Sequence, residues 1–137
     1  MSVIFHITTR DALLKARRDV PEASPGGSGV YRAESLSGQG FIHFSSLHQL
    51  LDVADRFYRG LRGLVILEVD PARLRAELKF EPPDHPAAAG TAPVTDQLFP
   101  HLYGPLNLDA VVAVYDFEPN AGGDFSLPAE LLIHPDR

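Results

Sequence analysis

The chain contains no cysteine and no tryptophan, and a single methionine. Without cysteine there is no disulfide, no thiolate nucleophile and no cysteine-bound zinc, and a cytoplasmic setting is the expectation that follows. No stretch approaches the ~18 uninterrupted apolar residues of a membrane span. Residues 1–20 carry charges from Arg10 onward and lack a long apolar run, which predicts no signal peptide. Positive charge is also scarce: 12 Lys and Arg stand against 18 Asp and Glu, for a formal net charge of −6. Nucleic-acid coats and polybasic membrane binders need the opposite balance, so bulk nucleic-acid binding and membrane binding are not expected. Gly-x-Gly-x-x-Gly, a Walker lysine loop, a Gly-x-Ser-x-Gly elbow and His-Glu-x-x-His are all missing. The glycine run Ser24 to Gly29 has no Lys-Ser/Thr after it, and reads as a surface loop rather than a phosphate cradle.

What is present is ordinary for a folded domain. The 137 residues are 45% apolar and 22% charged. They suffice for one domain, residues 1–137, that buries roughly two-thirds of its unfolded surface. Val3 to Ile7 reads as a strand, and Thr8 with Asp11 as the start of a helix running to about Arg18. Gly40 to Ser45 reads as a buried strand. Ser45 or Ser46 then caps a helix in which Leu47, Leu50, Leu51, Ala54, Phe57 and Tyr58 recur at helical spacing, closed by Gly60. Leu64 to Val69, Ala76 to Phe80 and Val111 to Phe117 are further strands, and Pro128 opens a short helix from Ala129 to Ile133. Glu81 to Thr95 reads as a long loop. Pro100 and Pro105 argue against Phe99 to Leu106 as a central strand. Strands and helices mix irregularly, which indicates α+β rather than a doubly wound sheet.

Three of the six histidines lie in strand-like strings: His6 between Phe5 and Ile7, His43 between Ile42 and Phe44, and His101 in Phe99-Pro100-His101-Leu102-Tyr103. Side chains alternate across a strand, so if both neighbours face the core the imidazole faces a cleft or solvent. Hydrogen-bonded histidines without a role are the competing reading. Zinc would require the three rings to converge within ~2 Å of one point, which the spacing does not show, and no metal site is assigned. His48, His85 and His134 receive no role.

These segments carry a resemblance. Ile4-Phe5-His6-Ile7-Thr8, Tyr31 to Leu36, Gly40-Phe41-Ile42-His43-Phe44-Ser45 and Pro100-His101-Leu102-Tyr103-Gly104-Pro105-Leu106 resemble the domain-of-unknown-function 952 family, in order and over nearly the whole chain. That family is in turn similar to the ADP-ribosyltransferase and RNA 2′-phosphotransferase superfamily. The resemblance implies two small, mostly antiparallel sheets around an NAD-holding cleft, with two or three helices. It places His6 in the first motif, His43 near the tyrosine of the second, and His101 where a glutamate usually stands. His6 is then expected to hold ribose hydroxyls, His43 to contact the nicotinamide side, and His101 to accept a proton or orient a nucleophile.

Arg10, Arg18 and Arg32 become candidates for the phosphates, with Thr8, Ser45 and Ser46 as hydroxyl donors and Tyr31 and Tyr103 as stacking partners. Surface positions for the arginines and core packing for the tyrosines compete with these roles. The resemblance thus implies an NAD- or ADP-ribose-binding protein, either a transferase acting by ADP-ribosyl transfer or a phosphotransfer-like reaction, or a non-catalytic small-molecule module. Glu81 and Asp96, flanking the long loop, are the carboxylates that could stand in for the glutamate.

Overall fold

β1 (Ile4–Thr9) opens the chain and turns directly into α1 (Arg10–Arg18). A computed structural model describes residues 3–18, 29–82 and 98–132. The remaining elements are β2 (Val30–Tyr31), α2 (Glu34–Gln39), β3 (Ile42–His43), α3 (Leu47–Phe57), β4 (Leu64–Val69), β5 (Glu77–Glu81), β6 (Phe99–Tyr103), β7 (Leu106–Asn107), β8 (Val111–Phe117) and α4 (Ala129–Leu132). Among the described residues they form three antiparallel ladders, ordered β1-β4-β8, β3-β6-β5 and β2-β7. The class is α+β, with three small sheets and four α-helices where two sheets and two or three helices were expected. No helix among the described residues is long and apolar enough to cross a membrane.

The run Leu64-Val65-Ile66-Leu67-Glu68-Val69 forms the middle strand β4, and all six residues are buried because both faces of its sheet are covered. Val65, Leu67 and Val69 join Ile4, Leu13, Ile42 and Leu102 in one apolar cluster. Leu64 and Ile66 join Phe5, Ile7, Leu50, Ala54 and Phe117 in the other. β1 has its two faces split in the same way. His6 is consequently only 6% exposed, and the expectation that its ring faces out of the core gives way to burial on both faces.

β1 runs two residues past the expected Ile7, since Thr8 pairs with Val65 and Thr9 with Leu64. The cap of α1 therefore falls to Thr9, whose Oγ1 accepts the Ala12 amide at 3.1 Å, while Thr8 points into the buried side. α3 follows its expected bounds, with Gln49 Oε1 taking the Ser46 amide at 2.9 Å. Its last turn closes at Tyr58, and Gly60, at φ +80°, serves the turn beyond it. α2 had no counterpart in the sequence reading: six residues are too few to show a period.

β6 corrects the reading of Phe99 to Leu106. It is the middle strand of its sheet despite Pro100. Pro100 tolerates that place because its oxygen accepts the Phe44 amide at 2.9 Å while its missing N–H falls beyond the two-residue ladder of β3. Pro105 lies outside both flanking strands. Glu81, expected to open a loop, is instead the last residue of β5, paired with Phe99. The expected loops fall largely in 19–28 and 83–97, outside the described residues.

Candidate functional site

The two three-stranded sheets touch at one bridge. Phe5 and Ser45 exchange both amide hydrogen bonds, at 2.8 and 2.7 Å, and beyond that pair the strands part. Because the Phe44 amide points to Pro100 on β6, the backbone of His43 points the other way, towards β1. Its carbonyl meets no β1 amide. It accepts instead from the His6 ring, with Nδ1 at 2.6 Å. A carbonyl can only accept, so the hydrogen of His6 sits on Nδ1 and Nε2 is bare. The Tyr31 hydroxyl lies 2.9 Å from that Nε2 and 2.8 Å from Thr8 Oγ1. Tyr31 has one proton to give, and the bare nitrogen takes it; the Thr8 hydroxyl then donates to the tyrosine oxygen. Burial, aided by the charge of nearby His43, lowers the His6 pKa from 6.5 to about 4, against the partial support of the His43 carbonyl. His6 is a neutral tie across the split between sheets.

The second sheet brings the other two histidines together. His43 and His101 are register partners on β3 and β6, with ring centroids 5.4 Å apart and edge to face. Phe41 stacks on His101 at 4.1 Å, and His101 is 2% exposed. Glu81 sits diagonally from His101 on β5 and accepts from its Nδ1 at 2.9 Å and from the Tyr103 hydroxyl at 2.6 Å. These bonds, Tyr103 first, hold the Glu81 carboxyl below its ordinary pKa. Glu81 thereby fixes the tautomer of His101, leaving Nε2 as its basic atom. That atom has no protein partner among the described residues, yet no buried side-chain nitrogen or oxygen there is left unpaired. His101 also lines the cavity between the sheets. His43 donates through Nε2 to Gln39 Oε1 at 2.7 Å.

The cavity so formed measures about 470 Å³, within the ~300–1,000 Å³ of small-molecule sites. His6, His43, His101, Thr8 and Ser45 all line it, as does Tyr31. The other candidates lie elsewhere. Arg10 is paired with Asp116 near the surface, and Arg18 and Arg32 are exposed and do not line the cavity. Ser46 caps α3, and Tyr103 is spent on Glu81, with Lys79 Nζ 4.8 Å over its ring. His48 is exposed; His85, His134 and Asp96 lie outside the described residues. No group of three or more metal-ligating side chains converges among the described residues.

Other contributions were read in part or not at all. Glu81 was expected as a stand-in carboxylate from a loop, not as a strand residue paired with His101, Tyr31 only as a stacking candidate, and Glu34 and Gln39 of α2 were not read as site residues. The diagonal between Glu81 and His101 exists only in the β5–β6 register, which no local pattern encodes.

The sequence model of the family described as "Protein of unknown function (DUF952)" matches residues 16–114, a range that includes His43 and His101 but not His6. The fold is similar to the X-ray crystal structure of protein CC0527 from Caulobacter crescentus. The two are 28% identical, with a TM-score of 0.72 over 96% of this chain and 100% of that one. The solution NMR structure of CC0527 aligns with a TM-score of 0.58 at 27% identity, covering 90% of each chain. No curated protein matches the chain.

Proposed function

The chain belongs to the DUF952 family, and we propose that its cleft binds the nucleoside end of NAD or of another ADP-ribose-bearing nucleotide, with His101 as proton acceptor. The observation that carries this reading is the Glu81–His101 pair, which commits Nδ1 of an imidazole lining a cavity of small-molecule size with aromatic walls. The residues present suit a ring and a ribose: hydroxyls at Thr8 and Ser45, imidazole at His43, and aromatic surface from Tyr31, Phe44 and Phe99. No Lys or Arg lines the cavity among the described residues, so phosphates belong outside it.

NAD, when bound, supplies a glycosidic bond whose nicotinamide departs as a neutral leaving group. His101 Nε2 takes the proton of an attacking hydroxyl or water as the oxygen bonds to the ribose carbon, and Glu81 stabilises the imidazolium that results. Glu81 itself stands behind His101 and does not line the cavity, so it acts as a positioning residue. The same placement favours the second reading, a binding module without turnover, because Glu81 cannot meet the charge that develops on the ribose.

Calorimetry with NAD and an assay for released nicotinamide test both. Binding with release supports the enzyme, and binding without release supports the module. Neither binding nor release overturns both. His43→Ala should weaken NAD binding at least about tenfold, or ~1.4 kcal/mol, with little change in Tm, because His43 is half-buried and its ring bonds to exposed Gln39. A large loss of Tm with unaltered binding would make His43 a packing residue.

A further inference from the structure

We propose that the cleft selects for positive charge on the ring it holds, taking a planar heteroaromatic cation in preference to the same ring in neutral form, and excluding phosphate. The inference rests on the nucleoside reading and specifies its charge. The walls include the aromatic side chains of Tyr31, Phe44 and Phe99, and a ring face offered to the ligand attracts a cation. Glu34, at the first turn of α2, places an exposed carboxylate in the lining, and Glu81 lies one residue behind it through His101. The buried His6 imidazole adds no positive charge, since both its nitrogens are committed to neutral-form bonds with His43 and Tyr31.

Lys79 lies near Glu81, but behind the wall rather than in it. No Lys or Arg lines the cavity among the described residues, and the two internal stretches outside them, 19–28 and 83–97, contain neither residue type. Of the nearby arginines, Arg10 is neutralised by Asp116. In a cleft lined largely by low-dielectric aromatic and aliphatic side chains, such an imbalance discriminates between ligands of equal size by charge.

Nicotinamide riboside provides the comparison, since its oxidised form is a planar cation and its dihydro form is neutral with nearly the same shape. The oxidised riboside should bind about tenfold more tightly than the reduced one in calorimetric titration. It should also bind more tightly than nicotinamide mononucleotide, whose phosphate brings negative charge to the cleft. Glu34→Gln, a change at an exposed position, should cut the oxidised-over-reduced preference to about a third without changing Tm. Equal or tighter binding of the reduced riboside, tighter binding of the mononucleotide, or an unchanged preference in Glu34→Gln overturns the charge inference while the nucleoside reading stands. No binding of either riboside, the mononucleotide or NAD overturns the nucleoside reading itself.

Discussion

His6 donates its one ring N–H to the His43 carbonyl and accepts a hydrogen bond from the Tyr31 hydroxyl, so charging the ring means breaking the second bond inside a buried site. With a native pKa of about 4 against 6.5 for the free side chain, the unfolded chain binds a proton that the native chain refuses. Stability should therefore fall as pH drops from about 7 towards 4, by ~3 kcal/mol in all. The depressed Glu81 carboxyl adds its own loss only below its ordinary range, near 4.5, so the upper part of the window belongs to His6. Urea titrations at pH 7, 6 and 5 should show the decline in the native chain and flatten it in His6→Gln. An equally steep decline in that variant would place the proton elsewhere. At this scale the sequence was partly legible. Polar rings inside Phe5-His6-Ile7 and Ile42-His43-Phe44 stand out against apolar neighbours. What each ring bonds to did not, because Tyr31 and Glu81 reach the histidines through pairings between segments 20 or more residues apart in sequence.

Among the elements, those with a full period were readable, and short ones only where a flanking apolar run or a proline marked them, as for β3 and α4. α3 repeats its apolar residues over three turns, and β4 is apolar but for Glu68, so both emerged near their observed bounds. β2 and β7 have two residues each, and α2 has six, too few for a pattern to form, whereas β3 was read within the longer apolar run Gly40 to Ser45. The β1–α1 junction shows the difficulty: Thr8 and Thr9 are equivalent as sequence signals, and only the β1–β4 ladder decides between them. Thr9→Ala should lose the cap on Ala12 and about 1 kcal/mol of stability, with ligand binding unchanged. Thr8→Val should perturb the Tyr31 contact and leave the helical circular dichroism intact. The reverse assignment of effects would move the cap to Thr8. Gly104, after β6, is fixed by space rather than by backbone: a Cβ there would lie 2.6 Å from the Ala76 Cβ. Gly104→Ala should cost about 1–3 kcal/mol, and adding Ala76→Gly should recover much of it. No recovery in the double variant would mean that the clash lies elsewhere.

For the molecule as a whole, the cleft exists because two three-stranded sheets share a single bridge, Phe5 with Ser45, and then diverge. His6 closes one side of the gap by taking a carbonyl that continuous pairing would have used. The paired His43 and His101 face the gap from the second sheet. Composition and motif pointed to α+β and to these three histidines, but not to the division into three ladders, which depends on where pairing stops. We propose above all that the Glu81–His101 pair presents a basic Nε2 to a ligand in this cleft. Long-range ¹H–¹⁵N spectra of the imidazoles during titration with nicotinamide riboside provide the sharpest test. His101 should be the Nδ1–H tautomer in the free protein, with the His101 and His43 resonances shifting on binding while exposed His48 stays fixed. An Nε2–H tautomer at His101, or binding that leaves the His101 and His43 resonances unmoved, would contradict it.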